Sequence, residues 1–349
     1  MKKFRIFKMK SNFKYSIIIL VIIVVVLVIF FPNKDINNPL NQSNETENLS
    51  DKNLEKRIIS DLTRPFGITI HKNKLYISDF GAHKILIYDS NLNLLKTIGS
   101  FGIGKEEFDR PHSVDFDEKG NFYVTEFGNK RIQILSSEGK HITYLNSSKA
   151  LEGPATGYFD KNYNFYVSDY SSNSLLKFSS DGKFIGWIGA KSDGTLTNGW
   201  EISGTSKVSS QPGGFDRLHM ARVNSEGDIY VADTWNNRVQ KFSSDGKFIG
   251  WIGAKSDGTL TDGWEKIGQS VSNNVEGGLN TPIAIDIIEE DNFIVFEFNG
   301  NRVQKFSSDG KFIEILEEGF NQGYDAKTYN NQLYVVDTGN KIVKIFSFS

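Results

Sequence analysis

The 349-residue chain has no cysteine, seven prolines, three methionines and five histidines. Without cysteine it can form no disulfide, no thiolate metal site, no cysteine nucleophile and no lipid-modified N-terminal cysteine. Excess charge of either sign is also missing, since 40 Lys and Arg face 42 Asp and Glu for a formal charge of −2. Past residue 53 the balance is 32 basic against 38 acidic residues, which argues against the basic face a phosphate backbone requires, so no nucleic-acid partner is expected. The sequence contains no serine elbow, no phosphate-cradling glycine loop, no H-E-x-x-H pair and no acids spaced for a calcium loop. Fragments such as Ser192-Asp193-Gly194 lack that acid spacing. An apolar share of 38% is ample for a large core.

One long apolar run is present, at the N-terminus. Lys2, Lys3, Arg5, Lys8, Lys10 and Lys14 precede an unbroken stretch from Ile17 to Phe31, and no acid appears before Asp35. Such a segment is either a cleaved export signal or an anchor. The bulky Ile29-Phe30-Phe31-Pro32-Asn33 offers no small-x-small cleavage site, which favours an anchor. The run is short for a span of roughly 20 residues, but Phe13 and Tyr15 extend it. The expected organisation is a basic cytoplasmic segment over 1–15, a transmembrane anchor over 16–32 and a polar stalk over 33–53. A folded domain over 54–349 then lies outside the membrane, in the periplasm or at the cell surface. The stalk is rich in Asn, Ser, Asp and Glu, too polar to bury a core, and its Asn41, Asn44 and Asn48 sit in glycosylation sequons.

The domain is organised around Asp228–Gly253, DIYVADTWNNRVQKFSSDGKFIGWIG, which reads as three short strands joined by two turns. Ile229–Ala232, Arg238–Phe242 and Lys247–Gly253 are the strands, and Asp245-Gly246 supplies a hairpin turn in which glycine takes the positive φ. The pattern recurs from Leu75, Phe122, Phe165, Phe293 and Leu333, with an acid closing the first of these strands at Asp79, Glu126, Asp169, Asp233, Glu297 and Asp337. An inner strand precedes each, as in Phe66–Ile70, Ser113–Phe116 and Pro282–Asp286. A unit is therefore a four-stranded antiparallel sheet with two apolar faces, which must stack on its neighbours, and six copies predict an all-β six-bladed propeller. The last unit ends without its outer strand, while a spare strand-like piece, Leu54–Ser60, precedes the first. Pairing the two would close the ring and hide an open edge.

The closing acids are spaced 47, 43, 64, 64 and 40 residues apart, so two units carry insertions, Ala190 to about Gly214 and Ala254 to about Leu279. Both begin AKSDGTLT and carry a tryptophan, Trp200 or Trp264; Phe178–Thr197 and Phe242–Thr261 are identical. Topology puts both insertions on the rim that carries the loops after Asp169 and Asp233. Trp200, Trp235, Trp264 and the loop residue His83 are thus candidates for a ligand-binding rim, or the duplication simply carried its loop along.

These units resemble NHL repeats: an inner strand, then Y-V-A-D-x-x-N-x-R-V, a D-G-x-F turn and an aromatic-Gly exit, matched throughout by Asp228–Gly253. Gly99-Ser100-Phe101-Gly102-Ile103-Gly104, running on to Phe108-Asp109-Arg110-Pro111, looks like that family's glycine-rich linker. The resemblance implies a propeller and leaves activity open, because fold does not fix function.

The closing acids recur whatever the loop contains, so they read as acceptors for backbone N–H groups, with Arg131, Arg238 and Arg302 as their partners. Trp187, Trp251, Phe178 and Phe242 read as packing between blades. Of the histidines, His141 lies by a turn and His71 after an inner strand. His112 in FDRPHSVDF and His219 in FDRLHMARV share one repeat position, with Tyr324 corresponding in the sixth unit. Imidazoles converging on an axis can hold a metal at about 2.0–2.1 Å or hydrogen-bond across a wet channel mouth. Arg110–Thr125 also looks like blades of peptidyl-amidoglycolate lyase, whose family holds zinc through three such histidines. That resemblance implies zinc on His112 and His219, with Arg110, Arg217 or Tyr324 polarising or protonating substrate. The third histidine of the pattern is replaced by Tyr324. The leading expectation is a membrane-anchored binding or scaffold module for a protein, peptide or glycan. The alternative is a metal-dependent lyase or hydrolase.

Overall fold

The computed structural model describes residues 57–347. The expected span over 16–32 and the stalk over 33–53 lie outside them. Among the described residues no helix is long and apolar enough to cross a membrane.

Six antiparallel sheets account for the strands, and each runs in chain order from inner to outer edge except the last. Blade 1 comprises Pro65–His71, Lys74–Asp79, Lys84–Tyr88 and Leu94–Ile98, and blade 2 comprises Pro111–Phe116, Phe122–Glu126, Arg131–Leu135 and His141–Tyr144. Blades 3 and 4 begin with Pro154–Phe159 and Ala221–Val223, and blade 5 with Pro282–Ile287. Blade 6 takes Asp325–Tyr329, Gln332–Asp337 and Ile342–Ser347 from the end of the chain and Arg57–Ile59 from before blade 1. The closing register pairs Arg57 with Ile345 and Ile59 with Val343. Thr338 Oγ1 adds a hydrogen bond to the Pro65 carbonyl, tying blade 6 to blade 1. Closure leaves the third strand of blade 6 paired on both sides, so it offers no edge to another chain.

The sequence dictates these blades locally. Alternating apolar residues face the two neighbouring blades, and Asp-Gly turns such as Ser243–Gly246, with Gly246 at φ +84°, reverse the chain between third and fourth strands. Core therefore lies between blades rather than within one. Tyr230, Ile252, Phe293 and Phe306, for example, pack together where blade 4 meets blade 5. Trp187 and Trp251 are almost wholly buried, as expected of packing residues.

The two insertions leave the rim and fold back down the outer edges of blades 3 and 4. Ser206–Lys207 and Ser270–Val271 add a short fifth strand to each of these blades, a feature the repeat pattern does not show. Earlier in each loop, Glu201 bridges to Trp187 and Glu265 to Trp251. Trp200 and Trp264 thereby reach the opposite end of the sheet. Their indole N–H groups donate to the Ser244 carbonyl at 3.1 Å and the Ser308 carbonyl at 3.0 Å, in the Asp-Gly turns of the next blade. Glycine makes this possible: a Cβ at Gly186 would stand 2.9 Å from the Trp200 Cβ, and one at Gly250 2.7 Å from that of Trp264. The expectation that these two tryptophans form a ligand rim is corrected on this geometry. They are wedges between blades, half-buried and away from the channel mouth.

Candidate functional site

The channel mouth is built by a local irregularity repeated around the ring. In blades 1, 2, 3 and 5 the inner strand starts at a proline and slips register by one residue immediately after it. The slipped residues are Phe66, His112, Ala155 and Ile283. A bulged residue leaves the ladder and re-aims its side chain, and these four line the mouth. His219 and Tyr324 occupy the equivalent points of blades 4 and 6, each donating its backbone N–H across to the second strand at 3.0 Å. Six blades thus supply an inner tier of Phe, His, Ala, His, Ile and Tyr.

A second tier stands above it. The residue following the closing acid is aromatic in four blades, giving Phe80, Phe127, Tyr170 and Phe298, while blade 4 contributes Thr234 and Trp235. The two tiers enclose a funnel of about 440 Å³. The loops after these acids were the expected rim, but sequence reasoning did not single out their aromatics, although the recurring pairs Asp79-Phe80, Glu126-Phe127, Asp169-Tyr170 and Glu297-Phe298 were there to be read.

The closing acids themselves are turned away from the funnel. Asp79 accepts from the backbone N–H groups of Thr63, Arg64 and Ala82 at 2.7–3.1 Å. Asp169 likewise holds Glu152, Gly153 and Ser172. They brace the segment entering the inner strand as well as the loop that follows, a longer reach than the local turn expected. Glu126, Asp233 and Glu297 each meet their arginine at 2.7 Å. A carboxylate ends each second strand beside the mouth, yet none lines it.

At the bottom of the funnel the rings of His112 and His219 stand 4.7 Å apart, with Tyr324 6.0 Å from the first and 5.5 Å from the second. Tyr324 is also stacked on Phe66 at 3.7 Å. The three positions converge as the repeat register requires. Burial drives both imidazoles to the neutral form. His112 is held well below the usual histidine range, by burial first and then by its histidine neighbour. His219 is pushed down to about 3 by burial. Burial raises the Tyr324 phenol, which therefore keeps its proton. His219 Nδ1 is buried with no hydrogen-bond partner.

These donors do not fit the zinc that the lyase resemblance implies. Such a site takes three protein ligands and an open position. Here the third corner is a protonated phenol, and among the described residues no group of three or more His, Cys, Asp or Glu is placed to hold a metal. The other candidates divide. Trp235, 55% exposed, stands at the mouth. Arg217 lies over its ring at 4.4 Å, and Arg110 lies over Phe127 at 5.3 Å while pairing with Asp109 at 3.5 Å. Neither arginine reaches the funnel wall. His83 is turned to a structural task, its Nδ1 accepting from the Arg110 backbone N–H at 3.1 Å with Phe101 against its ring. The guanidinium in the wall is instead that of Arg64, 5.0 Å from Phe66 and 5.3 Å from Phe80. Its signal was the Arg64-Pro65 pair, in register with Arg110-Pro111.

Comparison with known proteins agrees with the repeat reading. The NHL repeat pattern matches residues 108–135 and 215–242. The human NHL repeat-containing protein 3 is 33% identical over 95 residues, a segment covering 24% of this chain and 27% of that protein, so the match spans about a quarter of the relative's length. Among solved structures, a catalytically inactive virginiamycin B lyase from Staphylococcus aureus with quinupristin superposes with a TM-score of 0.55 at 14% identity, covering 84% of this chain and 89% of that one. A gluconolactonase from Xanthomonas campestris gives 0.56 at 12% identity, covering 84% and 90%. At such identities the likeness is one of fold alone.

Proposed function

We propose that this NHL-repeat propeller is a membrane-anchored, extracytoplasmic binding module that holds a protein, peptide or glycan ligand at its channel mouth. One observation carries the reading: the channel mouth holds a funnel walled by aromatic rings, with neutral hydrogen-bonding groups at its base and no carboxylate in its wall. Rings offer large contact area at low conformational cost, and a few convergent polar groups fix orientation. The two Trp-bearing insertions, being wedged between blades, leave this mouth as the recognition surface. The anchor supports placement outside the membrane, because a basic flank is retained in the cytoplasm and the chain beyond the apolar run is exported.

Three measurements test it. Protease treatment of intact cells should remove the propeller; full protection would overturn the topology. Phe127→Ala and Trp235→Ala should weaken ligand capture at least ten-fold without lowering thermal stability by more than a few degrees. Unchanged capture would move the binding surface elsewhere. Metal analysis of protein purified without chelator should find no stoichiometric zinc. Zinc that is lost on His112→Ala would replace this reading with the lyase or hydrolase one.

A further inference from the structure

We propose that the funnel selects a singly charged carboxylate carried on a ring-bearing or apolar body. The inference rests on the binding reading above and names the chemistry of its ligand. Charge in the wall decides it. Arg64 is the single ionised side chain among the lining residues. Its guanidinium sits over Phe66 and beside Phe80, and its charge acts on both His112 and Tyr324. Among the described residues it has no carboxylate within ion-pairing distance, whereas Arg131, Arg238 and Arg302, at the start of the third strands of their blades, are all paired. The acids that could have neutralised it are committed elsewhere; Asp79 spends both oxygens on backbone N–H groups, including that of Arg64 itself.

A guanidinium flanked by aromatic faces and left without a counter-ion is a fork for a carboxylate. An aromatic cage for a quaternary ammonium needs the opposite arrangement, with π faces and no competing cation. A dianion such as a phosphate monoester fits poorly as well. The wall provides one positive charge, and the two imidazoles below are neutral, so a second negative charge would be desolvated without compensation. His219 Nδ1, which has no partner, and the Tyr324 hydroxyl, which also meets Arg64, are placed to hydrogen-bond the polar part of the ligand, and the stacked Phe66 and Tyr324 give a flat surface for its ring. A free aryl acid and the C-terminal carboxylate of a peptide ending in an aromatic residue share this chemistry.

The test uses the full-length protein, calorimetry and the fluorescence of Trp235, the tryptophan at the mouth. The probes are N-acetyl-phenylalanine, its amide, phenyl phosphate and the peptide Gly-Gly-Gly-Phe with a free C-terminus. The acid should bind at least ten-fold more tightly than the amide and than phenyl phosphate. Arg64→Gln should bring the acid down to the level of the amide, and Arg64→Lys should restore part of the difference. Tighter binding of the peptide than of N-acetyl-phenylalanine assigns the site to chain termini, and equal binding assigns it to free aryl acids. Equal affinity for acid and amide, a preference that survives Arg64→Gln, or tighter binding of phenyl phosphate overturns the proposal while the funnel remains a ligand site. Absence of binding by all four probes overturns the proposal, and loss of ligand capture in neither Phe127→Ala nor Trp235→Ala separately overturns the funnel.

Discussion

Arg238 and Asp233 have no exposed surface, and their 2.7 Å contact is one of several that the guanidinium makes. It also donates to the carbonyls of Ser210, Gln211 and Gly214, which pins the end of the first insertion to blade 4. Removing one partner of a buried pair strands the other, so Arg238→Met should cost about 3–5 kcal/mol in chemical denaturation. Arg131→Met, where the guanidinium is partly exposed and solvent screens the pair, should cost clearly less. Asp325 poses a different case. Its Oδ2 accepts from the Ile68 backbone N–H, its Oδ1 has no partner, and burial lifts its pKa to about 6 against Arg222 and Lys327, which pull it down. The native state therefore keeps a proton that the unfolded chain releases between pH about 4 and about 6, and this contribution to stability is lost as pH rises through that window. Relative to the parent, Asp325→Asn should gain on the order of 2–3 kcal/mol between pH 4 and pH 7. His219 works in the opposite sense. Its depressed pKa means that the unfolded chain takes up the proton first, so its contribution is lost as pH falls from about 6.5 towards 3. A pH series on Asp325→Asn and His219→Ala separates the two.

At the scale of the element, the inner strand and the inserted loop carry the lesson. The insertions were legible as insertions from the 64-residue spacings, and their starting rim follows from topology. Their destination was not legible. It depends on Gly186 and Gly250 leaving space, and on carbonyls of the neighbouring blade that no local pattern reveals. Trp264→Ala should lower stability by about 2–4 kcal/mol through the cavity it leaves and leave ligand capture unchanged. Weakened capture with unchanged stability would return Trp264 to the rim. The proline-led bulge behaves likewise. His112 and His219 could be aligned by repeat position, but the one-residue slip that turns Phe66, His112 and Ile283 into the mouth is a property of the paired strands.

For the molecule as a whole, closure by Arg57–Ile59 is the feature on which cooperativity depends. A chain beginning at residue 62 lacks the fourth strand of blade 6, uncovers the backbone of Ile342–Ser347 and exposes the Val343 and Ile345 side of the cluster they share with Ile59. It should unfold at lower temperature and elute as higher-order species in size-exclusion chromatography, because an open apolar edge strand invites pairing with another copy. A monomer of unchanged melting temperature would show that the ring stands without its clasp.

The sequence by itself determined the number of blades, their strand order and the clasp, because a propeller is a one-dimensional repeat whose period, turn residues and alternation are all local. It also placed His112, His219 and Tyr324 at matching positions of alternate blades. The tertiary structure decided what that meeting amounts to. Burial made the imidazoles neutral, the ring brought Arg64 and four aromatic residues from separate blades to one funnel, and the insertions were drawn down into the seams. Those outcomes depend on desolvation and on contacts between blades, which arise only when the ring is closed.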